Sequence, residues 1–404
     1  MTISRRWVGV LVAGTLLASV VPARADTCRV TAIDTARPDR AIAANRAGFA
    51  MSLLIAVAGE GRTDTTVSPS GAAAVLAQLA LGADRTMSEA IGRTLRLKRP
   101  RAGLEAIRRT TRELSVIGSK PGAPFSSADA LFVDDKVPLK PGIAERAEAE
   151  TGAPVQMLDF TKPAAVEIVD KWASDRTRGR IRTILEPGEA PGLVAIDAFH
   201  FKDCWRHPFD AGDTAARPFE RLDRTKVERP TMRLDALDLA HGARGRFRAV
   251  ELPYADGRFA MVVVTTVDAP AAPRDFAEAS GLLTGTGLKG GPVRLSLPKF
   301  SGTGSRDLLE VLGRLGLAPG LASASGLSGF AEGLKLGAVR QKTFVEVNEE
   351  GTEAAAVTAG MATRGVGEPP TNLTFDRPFV FALRHRASGT ILLTGYVADP
   401  GEGK

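Results

Sequence analysis

The chain has 404 residues, 44% of them hydrophobic and 25% charged, proportions that exclude a disordered or fibrous polymer and allow a large core. Its formal charge of +7 falls to about +4 once Arg5, Arg6 and Arg24 leave with the leader described next, too little for the electrostatic footprint of a nucleic-acid binder. Length alone would permit two or three domains at about 100–200 residues each.

Arg5 and Arg6 precede an apolar run from Val8 to Val21, and Ala23-Arg24-Ala25 places small residues around a cleavage position, the pattern of an export signal. The run is shorter than the ~20 apolar residues that a spanning helix needs. Residues 1–25 are therefore expected to be removed, leaving a mature chain, 26–404, exported to a periplasmic or extracellular compartment without a membrane anchor. Ser4-Arg5-Arg6 is also a twin-arginine beginning, but Gly9 interrupts the hydrophobic pair expected next. The two cysteines, Cys28 and Cys204, would then sit in an oxidising compartment. Whether they bond depends on geometry that spacing does not decide.

Residues 36–120 read as helices. Phe49, Leu53 and Val57 fall at helical spacing, and Ser68-Pro69-Ser70 opens an Ala- and Leu-rich run to Leu81 with Ser70 as the expected cap and Gly82 as the stop. Thr86-Met87-Ser88-Glu89 has the spelling of a capping box for the next helix. Basic residues then gather at Arg93, Arg96, Lys98, Arg99, Arg101, Arg108, Arg109 and Arg112, for which a solvated helical face is the simpler reading.

From Ala128 the pattern becomes β. Strands are expected at 130–133, 196–201, 250–252, 259–266, 293–297 and 344–347, with a final pair, 379–383 and 391–397, around a Ser388-Gly389 turn. Helices first and strands later argue for an α+β fold with mixed or antiparallel sheets. No proline- or glycine-rich linker divides the chain, so one large domain is expected.

Motifs for catalysis fail on context. Gly285-Thr286-Gly287-Leu288-Lys289-Gly290 spells a dinucleotide-binding loop, but Gly291-Pro292 follows where a helix should begin, so a surface turn is expected. His200, His207, His241 and His385 show no metal-ligand spacing, and no serine occupies a Gly-x-Ser-x-Gly elbow. Neither an enzyme nor a metal or cofactor site is expected.

The most informative stretch runs Phe344-Val345-Glu346-Val347-Asn348-Glu349-Glu350-Gly351-Thr352-Glu353-Ala354-Ala355-Ala356-Val357-Thr358-Ala359-Gly360. It opens as an alternating strand, turns acidic and becomes a run of small residues ending near Arg364 and Pro369-Pro370. Composition alone would allow a linker, yet only about 35 residues follow.

At these residues the chain resembles the serpin family, whose reactive-loop hinge is a strand followed by Glu-Glu-Gly-Thr-Glu-Ala-Ala-Ala. The likeness continues in order through Val67-Ser68-Pro69, Ala130 to Asp134, Trp172, Thr177 to Ile181, Phe201 to Trp205, Val250 to Tyr254, Leu297 to Phe300, Asp376 to Phe379 and Gly395-Tyr396-Val397. The combination of leader and family likeness suggests a secreted, bacterial-type member. The resemblance implies amino-terminal helices packed on a large central mixed sheet, smaller sheets and an exposed reactive-centre loop, about 349–370. It further implies a monomer that traps a serine protease, trypsin-like or subtilisin-like, as a covalent acyl-enzyme by inserting the cut loop into its own sheet. A non-inhibitory carrier or chaperone is the alternative that the family allows.

The same resemblance implies roles for particular residues. Glu349, Glu350, Gly351, Thr352, Ala354, Ala355, Ala356 and Thr358 form the hinge; on insertion Thr352, Ala354, Ala356, Thr358 and Gly360 must enter the core, and all are small and uncharged. Family spacing puts the reactive bond at Arg364-Gly365, which an arginine-specific protease would cut, or at Gly365-Val366. Glu349 and Lys299 should meet near Trp205, where entry begins. Lower in the sheet, where the family commonly has a serine, an asparagine and a histidine, the matching residues are Gly71, Asp197 and Gln341, beside Ser68. Gln341 is expected to bond Asp197. Arg101, Arg108, Arg109 and Arg112 match the helix on which some members bind heparin-like polyanions.

Overall fold

The computed structural model describes residues 30–34, 40–120, 122–186, 192–236, 238–352 and 369–401. Helices α1 (Arg40–Ala58), α2 (Pro69–Leu79), α3 (Arg85–Thr94) and α4 (Pro100–Gly118) come first, with strand β1 (Thr65–Val67) between the first two. Next are β2 (Phe125–Asp134), α5 (Ile143–Thr151), β3 (Val155–Leu158), α6 (Ala164–Arg176), β4 (Leu193–Phe201) and β5 (Asp203–Cys204). A run of strands follows: β6 (Ala215–Glu220), β7 (Lys226–Ala236), β8 (His241–Arg244), β9 (Phe247–Pro253), β10 (Phe259–Thr266), β11 (Val293–Pro298) and β12 (Phe300–Asp307). After short helices α7 (Leu309–Leu312) and α8 (Ala318–Ala322) come β13 (Ala338–Val347), β14 (Gly351–Thr352), β15 (Thr371–Thr374), β16 (Phe379–His385) and β17 (Thr390–Val397).

Local chemistry explains the ends that differ from expectation. Ser68, not Ser70, caps α2: its Oγ accepts the Gly71 N–H at 3.1 Å, and Pro69 fills the first helical position, where no N–H is needed. Asp84 caps α3 by accepting the Met87 N–H at 2.7 Å. Glu89 pairs with Arg85 one turn away, so the expected capping box does not form. The Gly285 to Gly290 stretch follows a 3-10 stretch, Pro273–Thr284, that Gly285 ends in a left-handed conformation; no strand precedes it.

The described residues form three sheets. β1-β17-β16-β10-β9-β8 form one and β15-β11-β7-β6 a second. The largest runs β3-β2-β4-β13-β14-β5, with β12 on the far side of β13. In it β2 and β4 are antiparallel, whereas its central neighbours β4 and β13 are parallel. The helical α2 covers one face of this sheet and α6 the other, where Phe132 meets Trp172 edge-on at 5.4 Å and Val169 is fully buried. A second core joins the three sheets through Phe201, Phe219, Phe259, Phe300, Phe379 and Phe381, each buried ring contributing about 1.5–3 kcal/mol. Beneath α1 to α3 a third cluster holds Leu53, Leu76, Ile91 and Leu131.

Candidate functional site

The site is the seam between β4 and β13. β13 alternates as its sequence demands: Val339, Gln341, Thr343, Val345 and Val347 are buried, while Arg340, Lys342, Phe344 and Glu346 are not. The chain then reverses within four residues. Asn348 Oδ1 accepts the N–H groups of Glu350 and Gly351 at 3.1 and 3.2 Å, and the Asn348 N–H donates to Gly351 O at 3.0 Å. This turn sets β14 antiparallel to β13, Thr352 opposite Val347, and antiparallel to β5, Thr352 opposite Asp203 and Gly351 opposite Cys204. The first two strand residues beyond the turn thus already lie between β13 and the continuation of β4. Gly351 is required there: its φ is +156°, and a Cβ would stand 2.2 Å from Asp203 O.

Aromatic and charged groups hold this turn. Trp205 stacks on Tyr254 at 4.5 Å, its indole Nε1 donates to Asn348 O at 2.9 Å, and its backbone N–H donates to Glu350 O. Tyr254 is fully buried and its hydroxyl bonds Thr352 Oγ1 at 2.8 Å. Lys299 Nζ lies 3.2 Å from Glu349, whose other oxygen accepts from Thr214 Oγ1 at 2.8 Å. Burial alone would raise the Glu349 pKa, but hydrogen bonds from its own backbone, Thr214 and Lys299 outweigh it and hold the carboxyl below its ordinary range. Sequence reasoning had named Trp205, Lys299 and Glu349 but missed Asn348, Thr214 and the hydroxyl of Tyr254. Asn348 was legible as a turn former ahead of a glycine; the other two come from distant segments.

Lower down, a second set of contacts clasps β4 to β13. Gln341 and Asp197 are opposite one another, and Gln341 Nε2 donates to Asp197 at 2.6 Å and to Ser68 O at 2.8 Å. Gln341 Oε1 accepts the Ser68 N–H at 2.8 Å. Gly71 leaves the space that Asp197 fills, for a Cβ at 71 would come within 2.0 Å of the carboxyl.

Asp129, which sequence reasoning did not single out, stands directly across β2 from Asp197. Residue 129 retains some solvent exposure, yet its Oδ1 is shut from solvent and accepts from no donor among the described residues. Burial pushes Asp129 up to about 7, and burial together with the Asp129 charge pushes Asp197 well above the usual carboxylate range. A facing pair of this kind holds a proton near neutrality because two like charges in so dry a place repel.

The remaining predicted positions divide. Ala354, Ala355, Ala356, Thr358, Arg364 and Gly365 fall in 353–368, outside the described residues. On α4, Arg101 and Arg109 are exposed. Arg108 instead turns in to pair with Glu150 of α5 at 3.0 Å, its side chain 14% exposed, and Arg112 donates to Ala149 O. Arg108 and Arg112 therefore both contact α5, but Arg112, like Arg101 and Arg109, stays exposed. Cys204 is disulfide-bonded; the sequence holds one other cysteine, Cys28, which lies outside the described residues. Among the described residues no cluster of side chains could hold a metal ion.

A family model described as serpin, serine protease inhibitor, matches residues 44–400. The chain belongs to the serpin family. Among curated relatives, wheat (Triticum aestivum) Serpin-Z2A is 33% identical over 295 residues, 68% of this serpin and 74% of the relative. Human leukocyte elastase inhibitor is 28% identical over 375 residues, 87% of this serpin and 97% of the relative. The solved structure of native protease nexin-1 with heparin superposes with a TM-score of 0.75 at 22% identity, covering 89% of this serpin and all of that chain. The α+β architecture, a large mixed sheet with smaller ones, is thus that of the family.

Proposed function

We propose that this serpin inhibits serine proteases as a suicide substrate, the cleaved loop entering the large sheet between β4 and β13. The observation that carries this reading is β14, already seated antiparallel to strands on both sides. Continued residue for residue, that register sets Ala354 opposite Val345, Ala356 opposite Thr343, and Thr358 between Gln341 and Asp197. The side chains opposite these positions on β13 are buried, so the inserted residues must be small and uncharged, as they are. Insertion exchanges one parallel pairing for two antiparallel ones. If about ten to fifteen residues each gain ~0.5–1.5 kcal/mol of net hydrogen bonding, the yield is on the order of 10 kcal/mol, comparable with the ~5–15 kcal/mol stability of a protease domain. That suffices to distort a protease still tethered as an acyl-enzyme.

Arg364 is the proposed residue at the cut, which favours a trypsin-like target with an acid in its specificity pocket. The test is incubation with trypsin, subtilisin and elastase, followed by denaturing electrophoresis and sequencing of the released peptide. A detergent-stable band with trypsin that disappears in Arg364→Ala is expected; clean cleavage without any band for all three proteases overturns the inhibitory reading. Export, from the leader, and polyanion binding on α4, in the manner of heparin with protease nexin-1, belong to the same proposal. The polyanion would rest on Arg101, Arg109 and Arg112, which are exposed, and a heparin column eluted with salt reads it out.

A further inference from the structure

Away from the sheet, a cavity of about 520 Å3 lies between α1 and α4, its wall completed by the start of α2, the connection from α3 to α4 and the start of β17. Protein interiors hold few voids larger than a water molecule, and this one falls in the size range of small-ligand sites. Its apolar lining includes Phe49, Leu97, Ile107, Leu114 and Ile391. One charged group from α1 projects into this apolar lining. Arg46 Nη1 donates to Ser388 O and to Thr390 Oγ1 at 2.6 Å, and Nη2 donates to Thr110 Oγ1 at 3.2 Å.

All three acceptors are uncharged, so no carboxylate within bonding distance among the described residues neutralises the guanidinium. Its Nε–H and one Nη2–H remain without a protein acceptor there, although an arginine presents five donors. Burial, and after it the neighbouring Arg109, lower the Arg46 pKa to about 10, with Glu113 opposing at longer range. Even so it stays protonated at neutral pH. Lys98 and Arg99 add further positive charge, and none of the described lining residues is acidic.

We propose that this cavity binds a single-chain anionic amphiphile, an alkyl carboxylate whose head pairs with Arg46 and whose tail fills the space between α1 and α4. A planar guanidinium with free donors takes a carboxylate in two parallel hydrogen bonds, and apolar walls reward the tail. A neutral alcohol would forfeit the first contribution and a cationic detergent would be repelled.

Calorimetric titration of the full chain with monomeric dodecanoate tests this. Saturable one-to-one binding is expected, with dodecanol and dodecyltrimethylammonium at least roughly ten-fold weaker. Arg46→Gln should weaken dodecanoate by roughly ten- to a hundred-fold and leave dodecanol unchanged; should that variant not fold, Arg46→Lys, which keeps charge but loses the fork, should weaken it less. Ala106→Trp, on the cavity wall, should abolish binding of both while the melting curve holds. No saturable binding, equal binding of acid and alcohol, or full binding by Ala106→Trp overturns the proposal. So does binding that appears only after deletion of residues up to 39, which would make the chain's own leading segment the occupant. Preference for phosphatidylglycerol vesicles over monomeric dodecanoate would overturn it in favour of a membrane surface.

Discussion

Replacing Asp129 by asparagine should change how stability depends on pH. Burial raises Asp129 from its ordinary value near 4 to about 7, so between those limits the folded chain holds a proton that the unfolded chain has released. Folding is then favoured most below pH ~4 and loses stability as pH rises toward 7. Three pH units at ~1.4 kcal/mol each set an upper limit of about 4 kcal/mol, or about 5 °C in melting temperature for a chain of this size. Asp64, raised by burial to about 6, and Asp203, raised by burial to about 7, contribute a slope of the same sign. Subtracting the variant from the parent cancels Asp64 and Asp203 and leaves the share of the Asp129–Asp197 pair. Asparagine keeps the size of the side chain and can donate to Asp197, so the variant should melt increasingly above the parent as pH goes from 4.5 to 7.5. Thermal unfolding at fixed scan rate, followed by circular dichroism across that range, reads the difference. Parallel curves for the two proteins would show that Asp129 is not held protonated and would refute the reasoning.

Three further substitutions probe the rest of the seam and its support. Lys299→Met removes a pair whose side chains are 26% and 13% exposed; it should cost no more than about 1 kcal/mol, visible as a small shift in melting, yet speed spontaneous loop insertion because Glu349 is released. Arg384→Met leaves the buried Glu251 with only Arg386, and should destabilise by about 3 kcal/mol or more, measured in guanidinium unfolding. Thr358→Val is isosteric but removes a hydroxyl; it should lower the stability gained on cleavage by about 1–3 kcal/mol, read as a smaller rise in melting temperature of the cut form, with the uncut form unchanged.

How much was legible beforehand varies with how local the signal is. β10 occurs at Phe259–Thr266 as expected, because a run of apolar and β-branched residues has no competing reading. β6 and β7 were passed over: Ala215–Glu220 and Lys226–Ala236 are largely polar and partly exposed; they pair with each other and with β11 and give the core only scattered residues, Phe219 and Met232 foremost. β12, Phe300–Asp307, carries glycines at alternate positions where β1 packs close: a Cβ at Gly302 would meet Thr66 Oγ1 at 2.2 Å, so its periodicity is hidden. At the site, residues in one stretch, 348 to 352, were readable as a turn into a strand. The Asp129–Asp197 facing was not, since cross-strand register is set by the whole of β2 against β4 and no spacing in one chain reports it.

A parallel pair at the centre of the largest sheet is the weaker pairing, and the seam shows what it permits. Because β4 and β13 run the same way, a strand arriving by a tight turn from the end of β13 meets both in antiparallel orientation, as β14 already meets β13 and β5, the continuation of β4. The obstacle is the Gln341–Asp197 bond, which spans the gap that must open. Once parted by an inserted strand, β4 and β13 stand about two strand spacings, roughly 10 Å, apart, and a buried carboxyl left without a donor costs about 1–3 kcal/mol. In the register set by β14 the proposed insertion brings the Thr358 hydroxyl to that place, between the two groups it separates. The aspartate at 197, the glycine at 71 that makes room for it and the hydroxyl at 358 are then parts of one requirement: a carboxyl group that clasps the closed sheet needs a partner waiting in the loop that opens it.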